Sequence, residues 1–304
     1  MASSIFALNF EYPLHAIVSP DFFITLSSIK VALLDFKKEK QRSLIFMDIQ
    51  TVFKRYEIKY FLTELQMEAL KQEMQPYMEA DAYGRSQIMN IYFDTPNDLL
   101  IRHSLEKPVY KEKLRLRSYG VPDQDSTVFL EIKKKYEGIV YKRRISAPYQ
   151  KMMDYLEHDI PLITKKEAML ANTATDELRT ELPDNIPDAG TIQILHEIDY
   201  FRSYYQGLSP HVFLSYDREA FYDKTNNGFR ITFDRNIRFR TDHLKLSAGN
   251  YGELLLPEDQ VILEIKTSGG MPLWLTHFLG QEHLQKGSFS KYGSVYQHEL
   301  AGIA

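Results

Sequence analysis

Charged and apolar residues alternate along several segments of this chain, which is the pattern of β-strands with one polar and one apolar face. Lys113, Arg115 and Arg117 alternate with Leu114 and Leu116, so the three cations share one face of a predicted strand. Strand-like patterns occupy residues 54–61, 88–95, 109–120, 127–136, 139–147, 192–205, 211–223, 228–240 and 260–268. The pattern therefore predicts about eight strands in a meandering order.

Helical signals interrupt the strands. Thr63 and Gln66 have the spacing of a capping box, and apolar residues then recur at helical intervals, so we expect a helix over residues 64–78. Pro96 is placed to begin a short helix, and Pro272 a later one. Helices among meandering strands predict the α+β class, with an antiparallel, eight-stranded, tunnel-like β-barrel and helices packed on its outside.

The first part of the chain lacks this regularity. Residues 1–46 show no sustained helical or strand period, whereas a regular pattern begins at Met47. We expect residues 1–46 to be an N-terminal extension, either disordered or the product of a mis-assigned start codon. Residues 47–304 are predicted to form one functional domain.

Composition is that of a globular protein, with 44% hydrophobic and 26% charged residues. The chain has no cysteine, which excludes disulfides, thiolate metal sites and a cysteine nucleophile, and which fits a reducing compartment. The most apolar stretch, residues 14–36, is broken by Pro20, Asp21 and Lys30. We therefore expect no membrane-spanning helix and no signal peptide, and a cytoplasmic location.

Charge is unevenly distributed. The net charge of −4 gives the whole molecule no general attraction for nucleic acid, and we expect no nucleic-acid partner. Between Lys111 and Arg144, however, ten basic residues stand against five acidic ones. A local excess of this kind indicates a confined anion site, although a solvated basic face is the plainer interpretation of any single strand.

The tripeptide Glu-Ile-Lys occurs three times, at Glu57, Glu131 and Glu264. Each Glu and its Lys project to one strand face, with the Ile on the other. Cations that lie two residues apart on adjacent strands repel one another unless an anion compensates them. Closure of the sheet with its charges inward would create a positive lumen, and Arg and Lys there suit a linear chain of phosphates.

Other phosphate and metal motifs are absent from the sequence. There is no Gly-rich phosphate loop, and the nine histidines show neither HxH nor HExxH spacing. Side chains must therefore bind the phosphates. The minority glutamates suit Mg²⁺ or Mn²⁺ that bridges carboxylate and phosphate oxygens.

Several motifs together resemble a known family. They are FKRYEIKY, LRLRSYG, FLEIK followed by YKRR, YDREAF, FRITFDRNIRF, LEIK and FSKYG, in this order from about Phe53 to Gln297. The sequence resembles the VTC domain, the polyphosphate polymerase branch of the triphosphate tunnel metalloenzyme superfamily. The resemblance implies an antiparallel tunnel that binds a triphosphate unit and needs Mn²⁺ or Mg²⁺.

The resemblance also implies roles for individual residues. The implied catalytic residues are Arg115, Arg117, Lys133 and Arg230. The implied substrate-binding residues are Lys59, Lys142, Arg218 and Lys291, and the implied metal ligand is Glu264. Ser288 stands where the family often has a second Lys before FSKY, so the basic character at that end is weaker. Arg238 and Arg240 share the strand parity of Arg230, but we expect them outside the tunnel.

The implied activity is transfer of the terminal phosphate of ATP or another nucleoside triphosphate to a polyphosphate chain. Two alternatives stay open, namely an inorganic or nucleoside triphosphatase in the same tunnel and a non-catalytic polyphosphate-binding module. RNA binding is disfavoured because exposed aromatic residues are not interleaved with the cations. The sequence leaves open whether a membrane protein is a partner.

Overall fold

The protein is described from a computed structural model, which covers residues 56–137, 139–173, 187–225 and 228–300. These residues belong to one compact unit, Lys54–Ala304. The predicted extension, residues 1–46, lies outside the described residues, so the domain boundary stays a prediction. None of the helices in these ranges has the length and apolar character needed to cross a membrane.

Ten strands are present in the described residues. They are β1 (Tyr56–Thr63), β2 (Met78–Asp94), β3 (Tyr110–Tyr119), β4 (Thr127–Tyr136), β5 (Ile139–Pro148), β6 (Ser209–Asp223), β7 (Arg230–Arg240), β8 (Glu253–Leu254), β9 (Gln260–Thr267) and β10 (Lys286–Gly287). Eight of them are long, and β8 and β10 have two residues each.

Seven α-helices lie between or after the strands in the same ranges. They are α1 (Glu64–Met74), α2 (Leu99–Leu105), α3 (Tyr149–His158), α4 (Lys165–Thr173), α5 (Ala189–Tyr204), α6 (Leu273–Gln281) and α7 (Lys291–Val295). A 3₁₀ turn (Leu246–Ala248) and a π-helical turn (Tyr296–Leu300) complete the set. The capping box predicted at Thr63 and Gln66 is confirmed at the start of α1.

The strands form one antiparallel sheet in the order β10-β1-β9-β7-β6-β2-β3-β4-β5, with β8 beside β7. The sheet is not closed by hydrogen bonds, because β10 and β5 are its two edges. It nevertheless curls strongly, since Lys133 of β4 lies 3.9 Å from Glu57 of β1, across the intervening strands. The α+β tunnel fold is confirmed, with eight long strands and two short additional ones.

Apolar side chains cover the outer face of the curled sheet. One cluster packs β2 to β5 against α3 and α5, and a second packs β1, β7 and β9 against α1 and α6. Burial of each large aliphatic side chain there contributes about 1.5–3 kcal/mol. Central members are Leu116, Met152 and Ile198 in the first cluster, and Leu263, Leu70 and Leu275 in the second. The apolar face of each strand therefore points outward, and the charged face points inward.

A third apolar cluster occupies the inner face at one end of the strands. Along β6, the inward residues Leu214 and Tyr216 precede Arg218, and along β9 Ile262 precedes Glu264. Tyr292 of α7 joins this cluster. The lumen is therefore apolar at one end and charged over the rest of its length.

The strand predicted for residues 192–205 is wrong, because this segment belongs to helix α5. Asp188 caps the helix by accepting a hydrogen bond from the backbone N–H of Thr191 at 2.8 Å. The buried residues recur at three-residue steps, as Ile192, Leu195, Ile198 and Phe201. Tertiary burial of this face outweighs the strand-like composition of the segment.

The predicted start of the short helix at Pro96 is also wrong. Helix α2 begins at Leu99, because the buried carboxylate of Asp94 accepts hydrogen bonds from the backbone N–H groups of Leu100 and Ile101, at 2.9 and 3.0 Å. The end of β2 thus supplies the cap, and residues 95–98 form the turn between the two elements.

A bulge in β7 reverses the strand parity. Asn236 has a φ of 52°, and the register with β6 shifts beside it. After the bulge Arg240 lies opposite Phe213, on the outer side of the sheet, and its guanidinium donates hydrogen bonds to the carbonyls of Lys245 and Tyr251, both at 2.9 Å. Arg240 is therefore outside the tunnel, as expected, and it anchors the following loop.

Candidate active site

The inward face of the curled sheet brings together charged residues from seven strands and from α7. They are Glu57 and Lys59 (β1), Lys113, Arg115 and Arg117 (β3), Glu131 and Lys133 (β4), Lys142 (β5), Arg218 (β6), Arg230 and Asp234 (β7), Glu264 and Lys266 (β9) and Lys291 (α7). The period of two that puts these residues on one strand face also puts the apolar residues between them into the outer clusters.

Glu131 is the centre of one group of cations. Its side chain is fully buried, and Arg115 binds one carboxylate oxygen through Nε at 2.8 Å and Nη2 at 2.7 Å. Lys142 lies 2.6 Å from the other oxygen, and Arg117 lies 3.8 Å from the first. Burial alone would raise the pKa of Glu131, but the charges of Arg115, Arg117 and Lys142 lower it to about 2.

Asp234 is the centre of a second group. It is fully buried, and Arg218 binds both of its oxygens, at 2.6 and 2.7 Å. Lys291 reaches the same carboxylate from α7 at 2.6 Å. Burial opposes ionisation of this carboxyl, but the two cations outweigh it and lower the pKa of Asp234. The short helix α7 is thereby fixed against the sheet.

Glu264 and Glu57 link the cations on the remaining side. Lys266 lies 2.7 Å from Glu264, and Lys59 lies between the two carboxylates, 3.7 Å from Glu264 and 3.1 Å from Glu57. Burial would raise the pKa of Glu264, but the neighbouring positive charges, chiefly Lys266, lower it below its ordinary range.

Buried Tyr216 joins the first two groups, and partly buried Tyr92 contacts the first. The hydroxyl of Tyr216 accepts a hydrogen bond from Arg117 at 3.3 Å, and its ring lies 5.1 Å from the Arg218 guanidinium and 4.5 Å from the Lys291 ammonium. Tyr92 accepts one from Arg115 at 3.1 Å. The sequence reasoning missed both tyrosines among the 20 in the chain. Tyr216 lies two residues before Arg218 on the same strand face, and this shared face was the signal in the sequence that could have placed Tyr216 in the lumen.

Lys113 was also missing from the predicted site. Its ammonium donates to Ser290 Oγ at 3.4 Å and lies 5.6 Å from the Tyr292 ring. Within the described ranges it has no carboxylate within 4 Å. Burial, with help from Lys111 and Lys133, lowers the pKa of Lys113 to about 8. Lys113 is thus an uncompensated cation that lines the lumen.

Arg230 belongs to none of these groups, because its carboxylate partner is Asp81. It is 45% exposed, and its guanidinium lies 3.2 Å from Asp81. Lys133 is exposed to a similar extent, 43%, whereas Arg117 is 7% exposed. Lys266, opposite Arg230 in the register, is 35% exposed. We call the end of the lumen that is marked by Glu57, Lys133, Arg230 and Lys266 the tunnel mouth, because all four are partly exposed.

The segment that precedes and begins α7 contacts four separate strands, β1, β2, β3 and β7. The carbonyl of Phe289 accepts a hydrogen bond from Lys59 at 2.9 Å. Ser290 contacts Lys113, and Lys291 contacts Asp234, as described above. The hydroxyl of Tyr292 donates to Asp94 at 2.8 Å. Residues 289–292 therefore complete one wall of the lumen.

Comparison with known proteins assigns the chain to a family. The family model of the VTC domain matches residues 54–299. The chain belongs to the VTC domain family. The resemblance to the VTC domain stated from the sequence motifs is thus confirmed.

Solved structures similar to this VTC domain include two proteins that were provisionally assigned as adenylate cyclases. The one from Vibrio parahaemolyticus is 14% identical with a TM-score of 0.37, and the match covers 79% of this chain and 97% of that one. The other, from Hippeastrum, is described as having a dominant triphosphatase activity; it is 16% identical with a TM-score of 0.38, over 80% of this chain and 94% of that one. No curated protein matches this chain.

Glu264 is the predicted metal ligand of this VTC domain. In the described part of the chain no three His, Cys, Asp or Glu side chains are grouped so that they could hold a metal ion. A single carboxylate nevertheless suits Mg²⁺ or Mn²⁺ when substrate phosphates and water supply the other ligands. The donor set therefore fits a metal that arrives with its phosphate ligand, and the ligand role of Glu264 stays a prediction.

Acid should weaken this VTC domain through Glu131. Its folded-state pKa of about 2 lies below the ordinary value of 4.5, so its ionisation stabilises the fold above pH 4.5 and this contribution disappears as the pH falls towards 2. The depression corresponds to about 3 kcal/mol. We expect the free energy of unfolding to fall across this window in denaturant titrations. Glu131→Gln should flatten that dependence, and an unchanged pH profile would contradict the assignment.

Proposed function

We propose that this VTC domain is a polyphosphate polymerase-type phosphotransferase that moves the terminal phosphate of ATP or another nucleoside triphosphate to a polyphosphate chain inside the tunnel. The observation that carries this proposal is the charge of the lumen. Among the inward residues named above for the candidate site, ten cations face four carboxylates, and Lys113 has no carboxylate partner. A chain of phosphates is the anion whose shape and charge match such a lining.

The arginines and lysines would share the work of positioning. Arg115, Arg117 and Arg218 offer planar forks for the oxygens of the transferring phosphate, since phosphoryl transfer depends mainly on alignment and charge neutralisation. Lys59, Lys142 and Lys291 would neutralise neighbouring phosphates as point charges. Because Glu131, Asp234, Glu57 and Glu264 hold these cations in place beforehand, little reorganisation is needed when substrate binds.

The state of the carboxylates favours a phosphate acceptor over water. Glu131 is held by three cations with a pKa of about 2, and Glu264 and Asp234 also have lowered pKa values, so these three are poor proton acceptors at neutral pH. The terminal oxygen of a polyphosphate chain is already an anion and needs no base. Water has to lose a proton in order to attack. These three carboxylates therefore favour a polymerase over a triphosphatase.

A divalent cation on Glu264 would neutralise charge on the phosphate oxygens when it is bound. Glu264 itself is held by Lys266 and Lys59, so its carboxylate is oriented before the ion arrives. We expect Glu264→Gln to raise the Mn²⁺ concentration needed for half-maximal turnover by about tenfold or more. A metal titration of the activity measures this shift, and an unchanged requirement would remove Glu264 as the ligand.

The direct test incubates the full chain with ATP and Mn²⁺ and resolves the products by gel electrophoresis and a phosphate assay. A long polymer supports the proposal. Free phosphate alone would indicate a triphosphatase, and the absence of turnover together with polyphosphate binding would indicate a binding module. Lys142→Ala should reduce turnover, whereas the neighbouring Arg143→Ala, which removes an outward cation paired with Glu197 at 3.4 Å, should not.

A further inference from the structure

Pairs of lysines continue outward from the tunnel mouth along β3, β4 and β5. In the strand register Lys113 lies opposite Lys133, Lys133 lies opposite Lys142, and Lys111 lies opposite Lys135. All five lie at inward-facing strand positions, and we call them the lysine ladder. Like charges directly opposite one another destabilise a sheet, so this arrangement needs a compensating anion or another reason to exist.

The lysine ladder leads from the interior to solvent. Lys113 is partly buried, Lys142 and Lys133 are 40% and 43% exposed, and Lys135 is exposed. Residues two apart on a strand are separated by about 6.8 Å, so the outer pair lies one such step beyond the inner pair. The ladder thus continues the line of lumen cations past the mouth.

Carboxylates compensate only part of the ladder. Lys142 contacts Glu131, and Lys133 lies 3.9 Å from Glu57. In the described residues Lys111, Lys113 and Lys135 have no carboxylate within 4 Å, although the Lys111 ammonium donates a hydrogen bond to the carbonyl of Ser104 in α2 at 2.9 Å. Burial and the charges of Lys135, Lys107 and Lys133 lower the pKa of Lys111, so its nearest charged neighbours are other cations.

The opposite face of the same strands is built differently. There Lys134 lies 2.6 Å from Glu197 and 3.8 Å from Glu112, and Arg143 lies 3.4 Å from Glu197. The outward cations are therefore paired with carboxylates, whereas the outer members of the lysine ladder are not. An ordinary solvated basic surface does not account for this difference between the two faces.

We propose that the lysine ladder binds the part of the polyphosphate chain that projects from the tunnel mouth, an inference that rests on the proposed function. A uniform polyanion suits lysines, because each is a compact point charge on a flexible stem and can follow a chain that slides. Single-stranded RNA is disfavoured, since it calls for aromatic stacking platforms on the binding face. Strand parity directs the exposed Tyr110, Tyr136 and Tyr141 to the other face.

The test measures equilibrium binding of long-chain polyphosphate and of tripolyphosphate, without nucleotide or metal, over a range of salt concentrations. The variant is Lys111→Gln/Lys135→Gln, which keeps hydrogen-bonding groups at both positions. We expect its affinity for the long chain to fall about tenfold and its salt dependence to become shallower by about 1.5 in the log–log slope, as for two lost phosphate contacts. Its affinity for tripolyphosphate, which fits within the tunnel, should stay within about twofold.

The matched control is Lys165→Gln/Lys166→Gln, which removes the same charge from two exposed positions of α4 and should change neither affinity. Equal losses for both ligands, or no loss for the long chain, would overturn the proposal, as would tighter binding of single-stranded RNA than of polyphosphate of equal charge. This binding assay contains no ATP, so its result does not depend on polymer synthesis. If the synthesis assay yields no polymer, the proposed polymerase activity is overturned, and the binding assay still decides whether the lysine ladder binds polyphosphate.

Discussion

Arg115→Ala is expected to reduce kcat/KM for nucleoside triphosphate at least about 100-fold, the usual effect of losing one preorganised charge-stabilising donor. The guanidinium is 16% exposed and is held by Glu131 and the hydroxyl of Tyr92, so it points into the lumen with little freedom. Glu131 keeps Lys142 at 2.6 Å after the change, so the fold should survive. Steady-state kinetics of the folded protein and a thermal melt measure the two effects separately.

Two further variants make this prediction specific. Arg115→Lys keeps the charge but loses the two-pronged geometry, and it should recover only part of the activity. Arg143→Ala removes a cation of the outer face that is 47% exposed, and it should leave both activity and melting temperature nearly unchanged. If Arg115→Ala unfolds the protein while the remaining folded fraction keeps normal specific activity, Arg115 supports the fold and not the reaction.

Asp234→Asn is expected to lower the free energy of unfolding by about 3–5 kcal/mol, because it leaves two largely buried cations, 17% and 13% exposed, without their counter-charge. Arg218 and Lys291 both bind Asp234, and no other carboxylate lies within 4 Å of either in the described residues. Tripolyphosphate should recover much of the loss, since it supplies the missing negative charge to the same two side chains. Denaturant titrations with and without tripolyphosphate give both quantities.

The matched control is Asp217→Asn, the same change at the neighbouring outward position of β6. Asp217 is paired at 2.6 Å with Arg85, which is 51% exposed, so its loss should cost less than about 1 kcal/mol. Tripolyphosphate should stabilise this variant no more than the parent protein. Equal rescue of both variants would mean that the ligand does not bind at the Asp234 group.

Local patterns were enough to predict which strand face is charged. The period of two separates Lys113, Arg115 and Arg117 from the leucines between them, and the apolar face of every long strand then needs a cover of helices. The spacing of Thr63 and Gln66 was likewise sufficient for the start of α1. These features depend on neighbours in sequence, which a sequence displays directly.

Features that depend on contacts between residues far apart in the sequence could not be predicted from local patterns. Residues 192–205 carry both strand-like composition and a three-residue apolar spacing, and only packing against β2 to β5 decides between them. The ion pair of Asp234 with Lys291 joins residues 57 positions apart, and that of Lys59 with Glu264 joins two ends of the domain. The predicted roles of the lumen residues stay predictions, although most of those residues are brought together.

The wall made by residues 289–292 has a consequence for how the protein is made. Lys59 is synthesised early and Lys291 more than two hundred residues later, yet both line the same lumen. A nascent chain on the ribosome consequently carries the positive strands before it has the segment that completes the lumen. The lumen is therefore complete only after residues 289–292 have been synthesised, and not when the barrel strands alone are present.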